Sequence, residues 1–348
     1  MSDIAGTYID GPGSDRDNWR SIILLGRNVA SYKFALGKSL LGLAREGSEV
    51  VSLSELAVPY TKHLCEHLQH TERQGTFASS KFLNACRFYN AEVINQTELL
   101  ASAEMLGFEN VIDAFHTVGS GPVGSRFFID ERTLSTKGIR LTDELMQIVD
   151  APGSTNLFGE VEARWRLVET AWTNKADGEQ SIVLYDAPTE LLVPALRGKR
   201  RSITEVRPAL MGYQRGHCFY CFRPIVIVGG SGEAASEVDH FLPHMLMAKG
   251  YPVDLDQVWN LVLACVDCNR GPGGKFARLP HVELLLRLAK RNEYLISSHH
   301  PLRETLILQS GTGSTDRAGF LRSMYTLARD LLPGTDRWVP DAQGPDLF

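Results

Sequence analysis

The chain has 348 residues, 43% hydrophobic and 22% charged, with a net charge of -5, the profile of an ordinary soluble protein long enough for two domains with cores of their own. No apolar run approaches the ~20 residues of a membrane span, and Met1 to Gly13 lacks a basic start followed by an apolar stretch. Membrane and secreted classes are therefore set aside, and a cytoplasmic protein is expected. Six cysteines, four of them in two Cys-x-x-Cys pairs, suit metal binding in a reducing compartment better than a disulfide framework. Cys65 and Cys86 stand alone and read as core thiols.

In chain order, residues 15 to about 118 read as helices, without internal repeats or low-complexity tracts. Trp19, Ile22, Ile23, Val29, Phe34, Ala35, Leu40 and Leu43 recur at broadly helical spacing up to Gly47. Ser52 with Glu55 is a capping-box pattern opening a helix through His63, Cys65 and His67. Further helical periodicity covers Phe82 to Tyr89, Val93 to Leu106 and Val111 to Phe115. Phe127 to Ile129 and Ile139 to Leu141 suit a short hairpin, and helices resume near Thr142 to Val149 and Gly159 to Trp172. After a possible strand at Ile182 to Tyr185, Ser202 with Glu205 predicts a capped helix, Ile203 to Gln214. Pro224 to Val228 and Glu237 to Phe241 are β-prone and are expected to pair as antiparallel strands; Asn260 to Cys265 reads as a further buried extended piece. Helices close the chain at about His281 to Ile296 and Arg317 to Leu332.

Two pairs, Cys218/Cys221 and Cys265/Cys268, with 43 residues between them, present four thiolates at a spacing suited to one tetrahedral Zn²⁺; four thiolates leave no open position, so the ion is expected to be structural. The pairs bracket Glu237-Val-Asp-His240 and Asn260, and the second runs into Asn269-Arg270. From 191 to 291 there are 14 Lys and Arg against 8 Asp and Glu, a surplus of six that leaves the rest of the chain at -11. The basic charge travels with the cysteines, as a module facing a phosphate backbone requires.

Cys218-Phe-Tyr-Cys221, Glu237-Val-Asp-His-Phe-Leu-Pro243 and Trp259-Asn-Leu-Val-Leu-Ala-Cys-Val-Asp-Cys-Asn269 together resemble an HNH endonuclease, over residues 202 to about 280. More loosely, Arg291 to Thr305 resembles an extension of some bacterial members. The resemblance implies a ββα-metal fold braced by a four-cysteine zinc site. The expected fold is mainly α with a small α+β module: a mostly helical recognition or regulatory domain over 1–190, the zinc-braced nuclease module over 191–280 and a C-terminal helical extension over 281–348. Phosphodiester hydrolysis needs a base, a divalent cation and groups that fix both. His240 is the candidate base, neutral imidazole being available near pH 7. Asp239, on the opposite side of an extended chain, is expected to ligate Mg²⁺ or Mn²⁺ with Asn269, which sits at the family's third letter; Asn269 could instead cap a helix. Asn260 matches the middle letter and is expected to tie the intervening loop and orient His240.

Arg197, Lys199, Arg200, Arg201, Arg270 and Lys275 are the candidate phosphate contacts, with Arg223 and Arg278 beside them. His244 could line the cleft, while His217 reads as knuckle packing and His299 and His300 as a turn. His63, His67 and His70 share a helical face with no partner evident. One departure from the family is Arg270-Gly-Pro-Gly-Gly-Lys275, where helix-breaking residues replace a short helix carrying lysine. The functional expectation is a metal-dependent endonuclease acting on DNA, in restriction or antiphage defence by analogy, with residues 1–190 recognising a partner, a substrate feature or an activating signal. The alternatives are a zinc-braced nucleic-acid-binding module without catalysis and an effector nuclease that also acts on RNA.

Overall fold

Ser14 and Ser52 open helices by the same chemistry. The Ser52 hydroxyl accepts from Glu55 N at 3.2 Å while the Glu55 carboxylate accepts from Ser52 N at 2.8 Å, and Ser14 with Asp17 repeats the exchange. Each box satisfies backbone donors that a helix start leaves orphaned. The computed structural model describes residues 14–26, 28–77, 80–119, 121–176, 183–186, 188–194, 204–227, 234–297, 302–333 and 337–341. These are mostly helical with small sheets, and no helix among them is long and apolar enough to cross a membrane. The chain divides into two compact units, at 9–177 and 178–348.

The first unit holds α1 (Asp15–Leu25), α2 (Tyr32–Arg45), α3 (Leu53–His70), α4 (Lys81–Asn90), α5 (Gln96–Leu106), α6 (Glu109–Ala114), α7 (Asp143–Asp150) and α8 (Thr155–Ala176). The segment read as helical up to Gly47 is broken after Leu25. The hairpin expected around Phe127 and Ile139 is present as Phe128–Glu131 against Gly138–Leu141, with Val50–Ser52 as a third antiparallel strand. Aromatic rings fill the core: Trp19 meets Phe127 edge-on at 5.2 Å and Tyr60 stacks on Phe82 at 5.7 Å. Next to them, the His67 ring lies flat on Trp165 at 3.5 Å. Its two nitrogens meet Glu169 at 2.7 Å and Glu162 at 3.1 Å. The partners missing from the sequence reading of His67 are these two carboxylates on α8.

The second unit begins with an antiparallel sheet of three strands, Val183–Asp186, Leu191–Pro194 and Thr204–Glu205. The helix expected from Ile203 starts later: Thr204–Glu205 is strand, helix α9 covers Val206–Met211, and a 3-10 turn Gly212–Gln214 finishes it. The expected strand pairing is also corrected. Ser236–His240 (called βA) pairs antiparallel with Leu261–Cys265 (called βB), Asp239 opposite Val262 and His240 opposite Leu261. Among the described residues of the Pro224 segment, Pro224 bridges His217 and Val226 bridges Ala235 in parallel; Val228 lies outside them. The physical reason is burial: βB is apolar and buried along its whole length, so its backbone groups need the continuous ladder that βA supplies, whereas buried Ile225 and Val226 are satisfied by separate bonds to Gly216, Ala234 and Ser236.

Helix α10 (Val266–Arg270) follows βB, and α11 (Val282–Ser297), α12 (Leu302–Ser310) and α13 (Ser314–Leu331) pack on one another. These last helices belong to the same compact unit as the cysteine pairs, and the division between units falls at 177/178, not 190. Helix α11 shows why. Arg287 donates to the carbonyls of Phe219 and Tyr220 at 2.7 and 2.8 Å, and Arg291 and Asn292 both donate to the Trp259 carbonyl, at 3.2 and 3.1 Å. The helices brace the module from within.

Candidate metal centre and histidine site

The first Cys-x-x-Cys pair sits on a tight knuckle. Cys218 N donates to Arg223 O at 2.8 Å and Phe222 N to Cys218 O at 3.0 Å, with Phe222 at a φ of 59°. The knuckle is fastened to βB twice, by Phe219 N to Leu263 O at 2.9 Å and by the Gln214 amide, which exchanges two 2.8 Å hydrogen bonds with the Leu263 backbone. The second pair straddles the end of βB and the first turn of α10. Strand pairing thus brings both ends together.

All four sulfurs of Cys218, Cys221, Cys265 and Cys268 lie within 4.8 Å of one another. Cys221 Sγ and Cys265 Sγ are 3.8 Å apart, and the edge of a tetrahedron with Zn–S bonds of about 2.3 Å is about 3.8 Å. The four residues are positioned to hold a metal ion, and the sulfur donor set and spacing fit tetrahedral zinc. Among the described residues no other group of three His, Cys, Asp or Glu side chains is so placed. Hydrogen bonding between the thiols divides their acidity: contact with Cys218 pulls Cys221 down and brings Cys265 to about 6, while Cys218 and Cys268 are pushed up.

On βA, Asp239 and His240 face opposite ways. His240 Nε2 is 2.7 Å from Asp256 Oδ1, and His244 Nε2 lies 3.7 Å from the same oxygen. Burial lowers the His240 pKa from its ordinary value; the Asp256 hydrogen bond opposes that effect without cancelling it. Asn260, fully buried, accepts from Leu242 N at 2.8 Å and donates to Leu242 O and Leu255 O at 3.1 and 3.0 Å. These bonds close the loop between βA and βB and place Asp256 against His240.

The pair Asp239 and Asn269 is arranged differently from the expectation. Asp239 Oδ2 accepts from the Tyr220 hydroxyl at 2.5 Å and Oδ1 from Lys275 Nζ at 3.1 Å. Asn269 Nδ2 donates to Glu237 at 2.9 Å, and Arg270 Nε to the same carboxylate at 2.7 Å. As arranged, the two residues do not fit a shared Mg²⁺ or Mn²⁺. Lys275, expected at the phosphate-contacting surface, is wholly buried; its charge answers Asp239 instead of solvent. Arg270 is exposed but tied to Glu237, and exposed Arg223 pairs with Asp267. The run Arg197, Lys199, Arg200 and Arg201 lies outside the described residues, as do Ser202, His299 and His300.

Sequence reasoning missed Asp256, Tyr220 as the partner of Asp239, and Glu237 as the partner of Asn269. Glu237 and Tyr220 stand inside the quoted motifs and could have been weighed as polar partners; nothing in the local pattern marks Asp256. No family model, no curated protein and no solved structure matches the chain.

Proposed function

We propose that the chain is a zinc-braced phosphodiesterase of the HNH type that hydrolyses DNA, with Zn²⁺ on the four cysteines as brace and His240 as general base. The observation that carries this reading is the 2.7 Å contact between His240 and Asp256. A carboxylate on one ring nitrogen fixes the imidazole tautomer and stabilises the imidazolium that forms when a proton is taken up. Burial lowers the pKa of the imidazole from its ordinary value, which favours the neutral, proton-accepting form. In the proposed step a water oxygen attacks phosphorus and its proton passes to His240; the P–O bond to the sugar oxygen breaks as that oxygen takes up a proton from solvent, and His240 then returns its own proton to solvent. No step is assigned to a divalent cation.

The test is nicking of supercoiled plasmid by the zinc-loaded full chain, with and without Mg²⁺ or Mn²⁺, and of single-stranded DNA and RNA in parallel. His240→Ala is expected to lower the rate by about 10²–10⁴-fold, the usual contribution of a general base, with zinc still at one per chain. Cleavage at the wild-type rate would refute the assignment. A second reading is favoured by the closure of Asp239 by Tyr220 and Lys275: a zinc-braced nucleic-acid-binding module without catalysis. Binding of DNA without cleavage, equal in wild type and His240→Ala, would select it.

A further inference from the structure

We infer that the Lys275 ammonium is the resident cation of the Asp239 carboxylate, so that this carboxylate takes no Mg²⁺ or Mn²⁺. The inference concerns binding and holds under either functional reading above.

A glycine-rich turn delivers Lys275 to Asp239. Helix α10 ends at Arg270 and the chain folds straight back over it. A Cβ on Gly271 would stand 2.7 Å from Asp267 Cα, and one on Gly274 would stand 2.7 Å from Asp267 O, so only glycine permits so close a return. Lys275 N then donates to Cys268 O at 2.7 Å and Phe276 N to Asn269 O at 2.8 Å. The insertion is a packed turn, pinned to the helix that carries the cysteine pair, and its end aims one side chain inward.

That side chain has 0% exposure and uses its three donors on Asp239 Oδ1 at 3.1 Å, His240 O at 2.8 Å and Phe276 O at 3.2 Å. An ammonium has three donors and no more. The other Asp239 oxygen is held by Tyr220, whose carbonyl is in turn fixed by Arg287 and whose ring meets Trp338 edge-on at 4.9 Å. A divalent ion entering here would have to evict a buried ammonium and leave it unpaired. Mg²⁺ also keeps several waters in its shell, and the pair, at 0% and 8% side-chain exposure, offers them no room.

The test uses the zinc-loaded full chain and Mn²⁺ alone, followed by the electron paramagnetic resonance of free Mn²⁺. Wild type and Asp239→Asn are expected to give superimposable titrations; a wild-type site that Asp239→Asn abolishes would overturn the inference. A second measurement is thermal unfolding of Lys275→Met and Lys275→Met/Asp239→Asn. The double variant is expected to unfold at a higher temperature than Lys275→Met, because it no longer buries an uncompensated carboxylate; a lower midpoint would overturn the inference. Should Lys275→Met not fold, the Mn²⁺ comparison decides alone. Neither readout is cleavage, so failure of the nuclease reading and failure of this one are separately visible.

Discussion

Each ring nitrogen of His67 meets a carboxylate, and the ring face lies on an indole. Burial lowers the His67 pKa, but the hydrogen bonds to Glu162 and Glu169 outweigh it and the net change is upward. A histidine whose folded pKa is raised contributes stability that is complete below the unfolded value of about 6.5 and is lost as pH rises through the folded value. His67→Gln is therefore expected to cost about 3–5 kcal/mol at low pH, the scale for removing one partner of a buried ion pair. The difference from wild type, measured by urea unfolding between about pH 6 and about pH 9, is expected to shrink as pH rises. A difference that grew with pH would mean the imidazole is held neutral. The face shared by His63 and His67 was legible from spacing. The carboxylates were not, because they lie 95 and 102 residues away in the chain and only packing of α3 against α8 joins them.

Between βA and βB, the loop depends on one amide. Asn260→Ala removes three buried hydrogen bonds and leaves their backbone partners short of one, for an expected loss of about 2–4 kcal/mol. Urea unfolding of the zinc-loaded chain measures it, and a loss under about 0.5 kcal/mol, the level of an ordinary surface change, would mean the loop holds without the tie. The sequence reading anticipated a loop tie at Asn260, but paired Glu237 to Phe241 with the nearer β-prone stretch. Local propensity marks which segments can be extended; which of two neighbours completes the ladder is decided by the apolar run Leu261 to Cys265 and its need for cover. The glycine-rich departure after Asn269 was likewise visible, yet its outcome, a tight turn rather than an open loop, follows from contacts with Asp267 that no periodicity encodes.

At the scale of the chain, two compact units carry separate cores, and the four-cysteine cluster lies in only one of them. Removing metal with a chelator, or replacing Cys268 by Ser, is expected to unfold the second unit selectively, since structural zinc contributes about 10–16 kcal/mol to folding in small modules. Hydrogen exchange reads this out: amides of βA, βB and α11 are expected to lose protection while those of α3 and α8 keep theirs. Unchanged protection in βB would sink the structural role of the cluster. The division of charge, basic around the cysteines and acidic elsewhere, was present in composition alone. That residues 281–333 belong with the cysteines was not, because a helical pattern names the apolar face without naming what covers it.

Trp338 bears on the order in which the module is completed. Its indole donates to Gly273 O at 2.8 Å, its backbone pairs beside Pro280, and its ring closes on Tyr220. During synthesis the cysteines emerge from the ribosome well before this tryptophan. All four thiols that could hold a metal are therefore synthesised while the turn carrying Lys275 still lacks its clamp. The residues that could hold a metal and the residue that closes the interior around Asp239 thus leave the ribosome at different times.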